Sequence, residues 1–186
     1  MQTLKKIFIF SLFIIALAAC KDDNVPEIDK TKVEHEQLLG TWEVVETEAF
    51  VNIDPKYKSF LSLLPFDLND ELKNKLDEKS ANTSFHFEKE NVYFIKNAGI
   101  GFIRDSSRYI LDEYKIQLDN PNLIGFYAPT FYIKFTGGLL VAYLRKSETI
   151  DLLNNTGEIT SFQMDLLREG IDAAQCELRF RRRETS

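Results

Sequence analysis

The chain has 186 residues, 44% of them hydrophobic and 28% charged, with a formal net charge of −6. That length suits one domain with a sizeable core. The acidic balance argues against nucleic acid or an anionic membrane surface as a partner.

At the N-terminus, Lys5 and Lys6 precede an apolar run from Ile7 to Leu17, broken only by Ser11, and then the small pair Ala18 and Ala19. Residues 1–19 therefore have the layout of a secretory signal peptide, too short to span a bilayer. The next residue is Cys20, and "LAAC" resembles the lipobox of bacterial lipoproteins. The resemblance implies cleavage before Cys20, a diacylglycerol on its thiol and a further acyl chain such as palmitate on the new N-terminus. Each buried methylene contributes about 0.8 kcal/mol and one chain holds only reversibly, so two or three chains make a durable anchor. "KDDN" at 21–24 resembles the Lys-acidic signal that sends some lipoproteins to the outer face of the outer membrane; its plain alternative is a solvated tether. The expected location is the cell outer membrane, lipid-anchored and exposed at the surface. Two of the 23 basic residues and none of the 29 acidic ones precede Cys20, so the mature chain is more acidic still. With Cys20 lipidated, Cys176 has no partner for an internal disulfide, and stability must come from the core.

Residues 20–32 are polar and lack a periodic apolar face, which predicts a flexible tether, with the domain over 33–186. Thr31 and Glu34 form a capping-box pattern that predicts a short helix through Leu38, stopped by Gly40. "TWEVVETEAFV" (41–51) reads as the first strand. Over 55–80 the pattern turns helical. Leu68, Leu72 and Leu76 share one stripe, with Asp67 as N-cap and a Glu71–Lys75 pair outside. Pro65 should divide this helix from a shorter one around Phe60 to Leu64. The stripe is read as packing across a sheet or barrel end, with membrane or partner docking as the alternative.

From Thr83 onward strands dominate. In "TSFHFEK" Thr83, Phe85 and Phe87 alternate with Ser84, His86 and Glu88, and "KEN" turns the chain into "VYFIK". Gly99 and Gly101 flank a short piece, and "RYILDEYKIQL" (108–118) reads as one long strand. "NLIGFY", "TFYIKF" and "LLVAYL" follow at spacings too short for crossover helices, so pairing must be antiparallel. Residues 147–173 carry both helical and alternating patterns; two helices are favoured. "CELRFRRR" closes the chain as a strand with Cys176, Leu178, Phe180 and Arg182 on one face.

Eight or nine strands with helical insertions predict a mainly β protein, an antiparallel barrel. "LLGTWEV" (38–44) resembles the Gly-x-Trp opening of lipocalins and their relatives. The order of elements is similar to lipocalin-like domains of bacterial surface lipoproteins of unknown function. The resemblance implies a structural pair, with Arg182 of the last strand over Trp42 of the first. The helical insertion departs from the standard lipocalin and bears on whether an open ligand cup exists.

Chemistry is sparse. His35 and His86 have no zinc-binding spacing, no Gly-x-Ser-x-Gly elbow occurs, and "GIG" at 99–101 lacks a following helix. Cys176 faces the predicted core, where a thiol is inert. The chain is read as non-catalytic, with no catalytic residue, cofactor or metal. Its aromatic content stands out, and Phe85, Phe87, Tyr114, Phe126, Phe131, Phe135, Tyr143 and Phe180 are the inward candidates. An eight-stranded barrel can fill with such side chains or hold one small ligand. Two readings follow. In one, an anchored binding protein holds a small apolar ligand against these rings. In the other, a filled barrel docks an envelope protein partner through its outer surface. A void on the order of several hundred Å³ separates the first from the second.

Overall fold

A computed structural model describes residues 26–64, 66–123, 128–154 and 159–184. Cys20, Pro65 and Phe126 lie outside them, as do the signal segment and residues 20–25 of the tether. Eight strands close into an antiparallel barrel in which each pairs with its sequence neighbours and the last returns to the first. They are β1 (Gly40–Ile53), β2 (Thr83–Phe87), β3 (Asn91–Asn97), β4 (Phe102–Asp112), β5 (Lys115–Leu118), β6 (Thr130–Thr136), β7 (Leu139–Leu144) and β8 (Ile171–Arg182). Among the described residues five helices accompany them: α1 (His35–Leu38), α2 (Lys58–Leu61), α3 (Leu68–Ser80), α4 (Lys146–Asn154) and α5 (Ser161–Gly170). The architecture is mainly β with helical insertions, and it is compatible with a lipocalin-like fold.

β1 is the spine. It pairs with β2 only from Gly40 to Glu43, but with β8 from Trp42 to Ile53. A bulge at Val45 sits between Val44 and Glu46. One extra residue shifts the alternation, so Trp42 and Val44 face inward below it and Thr47, Ala49 and Val51 above it. Val45 itself is left exposed.

Among the described residues no strand pairs with β1 on the β2 side above Glu43, and α3 packs against β1. Asp67 caps α3 by accepting from the N–H groups of Asn69 (2.9 Å) and Asp70 (3.2 Å), which satisfies two of the helix's free donors. Leu68, Leu72 and Leu76, four residues apart, are all buried, and Lys75 lies 3.6 Å from Glu71, the pair itself half-buried rather than outside as expected. The hydroxyl of inward-facing Thr47 donates to the Asp77 carboxylate, tying α3 to the inner side of β1. At its C-terminus Lys96 donates to the carbonyls of Glu78 (3.2 Å) and Lys79 (3.1 Å). The Leu stripe therefore closes the upper barrel end, the packing reading of the sequence.

α4 and α5 agree with the two-helix reading of 147–173, except that the helix ends at Gly170 and the closing strand already begins at Ile171, ahead of the expected "CELRFRRR". Thr160 and Gln163 form a reciprocal capping box on α5. Gly170 ends it so close to the α2 region that a Cβ there would stand 2.8 Å from Tyr57 Cβ. Only glycine fits that approach.

Four local expectations are corrected. The α1 capping box is Glu34 with Gln37, not Thr31 with Glu34; Thr31 bonds Asp29 instead, at 2.6 Å from its hydroxyl. The α2 region is helical over Lys58–Leu61 rather than Phe60 to Leu64. The long strand 108–118 is a hairpin: β4 ends at Asp112, Glu113 turns with φ 54°, and β5 begins at Lys115. A non-glycine residue at positive φ carries no turn signal in the sequence. Finally, of "NLIGFY" only Asn122 and Leu123 lie among the described residues, and both are in a turn.

Candidate functional site in the barrel interior

The inward faces converge on one apolar chamber. Phe85 and Phe87 of β2, Phe131 and Ile133 of β6, and Leu178 and Phe180 of β8 line it with shorter aliphatic side chains from β3, β5 and β7. The rings lock one another. Phe85 meets Phe94 and Phe180 edge to face, both at 5.5 Å between centroids, and Phe87 meets Tyr109 likewise at 5.5 Å. Such pairs add about 0.5–1.5 kcal/mol beyond their buried area. The void left between them is about 30 Å³. Ligand pockets run from roughly 300 to 1,000 Å³, so this barrel is filled by its own side chains.

The predicted rings divide. Phe85, Phe87, Phe131 and Phe180 line the chamber. Phe135 faces inward but lower down, 5.6 Å from the Trp42 ring. Tyr114 and Tyr143 are not interior residues. Tyr114 sits in the β4–β5 turn and stacks on Tyr132 at 6.2 Å, because the strand that was to carry it inward breaks at Glu113. Tyr143 alternates with chamber-lining Leu140 and Ala142, so it lies on the outer wall, buried, with the Lys134 ammonium 5.2 Å from its ring centroid. In "LLVAYL" every residue after the first is buried, and apolar character alone does not separate the two faces. Sequence reasoning also passed over the aliphatic wall of Val92, Ile116, Leu118, Leu123, Leu140 and Ala142, whose signal was simple alternation.

The lower end is sealed by the opening motif. Trp42 Nε1 donates to the Leu38 carbonyl at 2.7 Å, and Arg182 donates to the Leu39 carbonyl while its guanidinium carbon lies 5.5 Å from the indole centroid. Beside this seal, His35 Nε2 is 2.8 Å from the Tyr109 hydroxyl, which donates to the Glu88 carbonyl at 2.7 Å. Burial pushes the Tyr109 phenol up to about 12. Val33, the first buried residue of the described chain, donates its N–H to the Glu113 carbonyl at 3.0 Å.

Three polar constellations remain. Thr41, His86 and Glu88 line up on the outer wall of β1 and β2. The Thr41 hydroxyl is 2.9 Å from His86 Nδ1, but His86 Nε2 is 3.8 Å from Glu88. That second gap is too long for a hydrogen bond, and both side chains stand in water, so the row forms no proton relay. Arg179 bridges Glu46 (2.9 Å), Glu48 (2.6 Å) and Glu177 (3.3 Å) across β1 and β8. Its hydrogen bond to Glu46 raises its pKa further, against the opposing effect of burial, and it staples the barrel closure. Cys176 is fully buried, and burial pushes its thiol up to about 12. Among the described residues no three His, Cys, Asp or Glu side chains are grouped to hold a metal.

No protein-family profile matches the chain, and no curated protein is similar to it.

Proposed function

We propose that this chain is a lipid-anchored, non-catalytic interaction module: a lipocalin-like barrel, tethered to the outer membrane through acylated Cys20 and displayed at the cell surface, that docks an envelope protein partner. The observation that carries this reading is the filled interior, with its residual void of about 30 Å³. A barrel closed above by α3 and below by Trp42 and Arg182 offers its outside. Apolar side chains exposed there include Phe60 on α2, Leu63 just after it and Phe162 on α5. The reading of an apolar ligand inside would require the interlocked phenylalanines to part.

The test has two arms. Native mass spectrometry of the protein purified from its own host should give the mass of the acylated chain with no stoichiometric small molecule; a co-purifying apolar ligand would restore the binding-protein reading. In parallel, Cys20→Ala should leave the membrane fraction or accumulate as uncleaved precursor. A Cys20→Ala chain that matures and partitions unchanged would remove the anchor.

A further inference from the structure

The barrel is closed, but one of its strands is paired on only one side for half its length. The hydrogen-bond phase of β4 shows which groups are free. Tyr109 N–H donates to the Glu90 carbonyl at 3.0 Å and the Gly101 carbonyl accepts from Ala98 N–H at 2.9 Å. Odd-numbered residues of β4 therefore turn their backbone groups toward β3. On the far side the Arg108 carbonyl accepts from Asp119 N–H at 3.1 Å, so even-numbered residues turn away. β5 covers that far side only from Asp112 to Tyr109, and Asn120 extends the cover to Ser107, whose hydroxyl accepts its N–H at 2.8 Å.

Above that point residues 102–106 are all exposed, and among the described residues no strand lies along their far edge. The backbone N–H and C=O groups of Phe102 and Arg104 point out along it, while at its lower end the Ser106 N–H donates to the Asp105 carboxylate at 2.7 Å and the Asn120 side-chain amide donates to the same carboxylate at 3.3 Å. Exposed Ile100, Phe102 and Ile103 surround this edge. An exposed, unpaired edge that carries apolar side chains is a template for another strand.

We propose that this edge pairs with the same edge of a second copy, β4 against β4 about a two-fold axis through Ile103. The charge pattern selects both the partner and the register. In a symmetric antiparallel pair one residue must face itself. Three centres keep at least three strand residues of each copy paired. Centred on Arg104, the pair sets two guanidinium groups directly opposite; centred on Asp105, it sets two carboxylates opposite, and like charges there are destabilising. Centred on Ile103, it puts isoleucine on isoleucine and each Phe102 opposite the partner's Arg104. Arg104 already lies 6.0 Å from its own Phe102 ring, so guanidinium and ring are preset for that contact. Phe102 and Arg104 are even-numbered, so their outward backbone groups supply the inter-chain ladder. The association needs only the strand edge and stands whatever the outer wall elsewhere binds.

Cysteine cross-linking in membranes of cells expressing the full chain tests it. Ile103→Cys, at the two-fold, should give an oxidant-dependent dimer of twice the chain mass. The parent chain and the exposed β4 control Ile110→Cys should give little. Adding Arg104→Pro to Ile103→Cys removes an N–H that points away from β3 and should cut the cross-link about tenfold or more. Phe102→Lys, which sets lysine against the partner's arginine, should do the same without touching the backbone. Failure of Ile103→Cys to cross-link, equal cross-linking from Ile110→Cys, a product containing a different protein, or full cross-linking in both blocking variants would each overturn the proposal.

Discussion

Arg182 and Trp42 are register partners across the β1–β8 closure, and the Arg182 guanidinium carbon sits 5.5 Å from the indole centroid. The same guanidinium reaches back to the Leu39 carbonyl, so one side chain clips the first strand, the last strand and the segment leading into the barrel.

Arg182→Ala should therefore destabilise the domain by about 0.5–2 kcal/mol, the lower part of that range applying because the side chain is partly in water. Arg183 makes an exposed ion pair with Glu43 at 3.3 Å, of a kind worth roughly 0–1 kcal/mol, and Arg181 is exposed. Urea denaturation should rank Arg182→Ala below Arg181→Ala and Arg183→Ala. Equal, negligible losses in all three would deny the clip.

Phe131 lines the small chamber and is buried. Phe131→Ala should cost about 3–5 kcal/mol, the range for losing a large core ring. It should also enlarge the void enough to admit a small apolar probe such as benzene, as emptied apolar cavities do. Chemical denaturation with and without the probe checks both parts. A variant of parent stability would mean that the interior is not packed as described.

Gly170 has its neighbour Tyr57 Cβ 2.8 Å from where its own Cβ would be, with the Tyr57 ring and Leu61 only slightly farther. A methyl there must displace backbone-proximal atoms, so Gly170→Ala should destabilise by roughly 1–3 kcal/mol. The double variant with Tyr57→Gly should recover part of the loss. No recovery would place the cause elsewhere.

Cys176 and Tyr109 are both raised to about 12 by burial, from usual values of 9.0 and 10.0. Folding holds each group neutral, so as pH rises the unfolded chain releases these protons first. Their stabilisation is fully present below about pH 9 and is lost progressively between 9 and 12. Cys176→Ala should be less stable at neutral pH, through lost volume, yet show a shallower fall in unfolding free energy between pH 8 and 10.5. A fall as steep as the parent's would show that the buried thiol does not contribute.

Local sequence determined a good deal here. The alternation in "TSFHF" set Phe85 and Phe87 inward, the four-residue leucine spacing with Asp67 made α3, and the opening Trp42 with the closing Arg182 marked where the barrel seals. The first two are nearest-neighbour or period-based properties, which the chain carries without reference to the rest of the fold; the pairing of the first strand's Trp42 with the last strand's Arg182 was legible only through the resemblance to lipocalins. What the sequence could not decide lay in the pairing. Tyr143 went to the outer wall because the register with β6 and β8 fixed its face, and in a run where nearly every residue is buried, hydropathy has no phase. Tyr114 left the interior because Glu113 adopts a positive φ that nothing in its side chain announces. The phenylalanine count was equally consistent with a lined cup or a solid core. Only the strand tilt, the bulge at Val45 and the seating of α3 on Thr47 fix how much space those rings must fill. Volume is a property of the closed barrel, summed over side chains distant in sequence, and no single segment carries it.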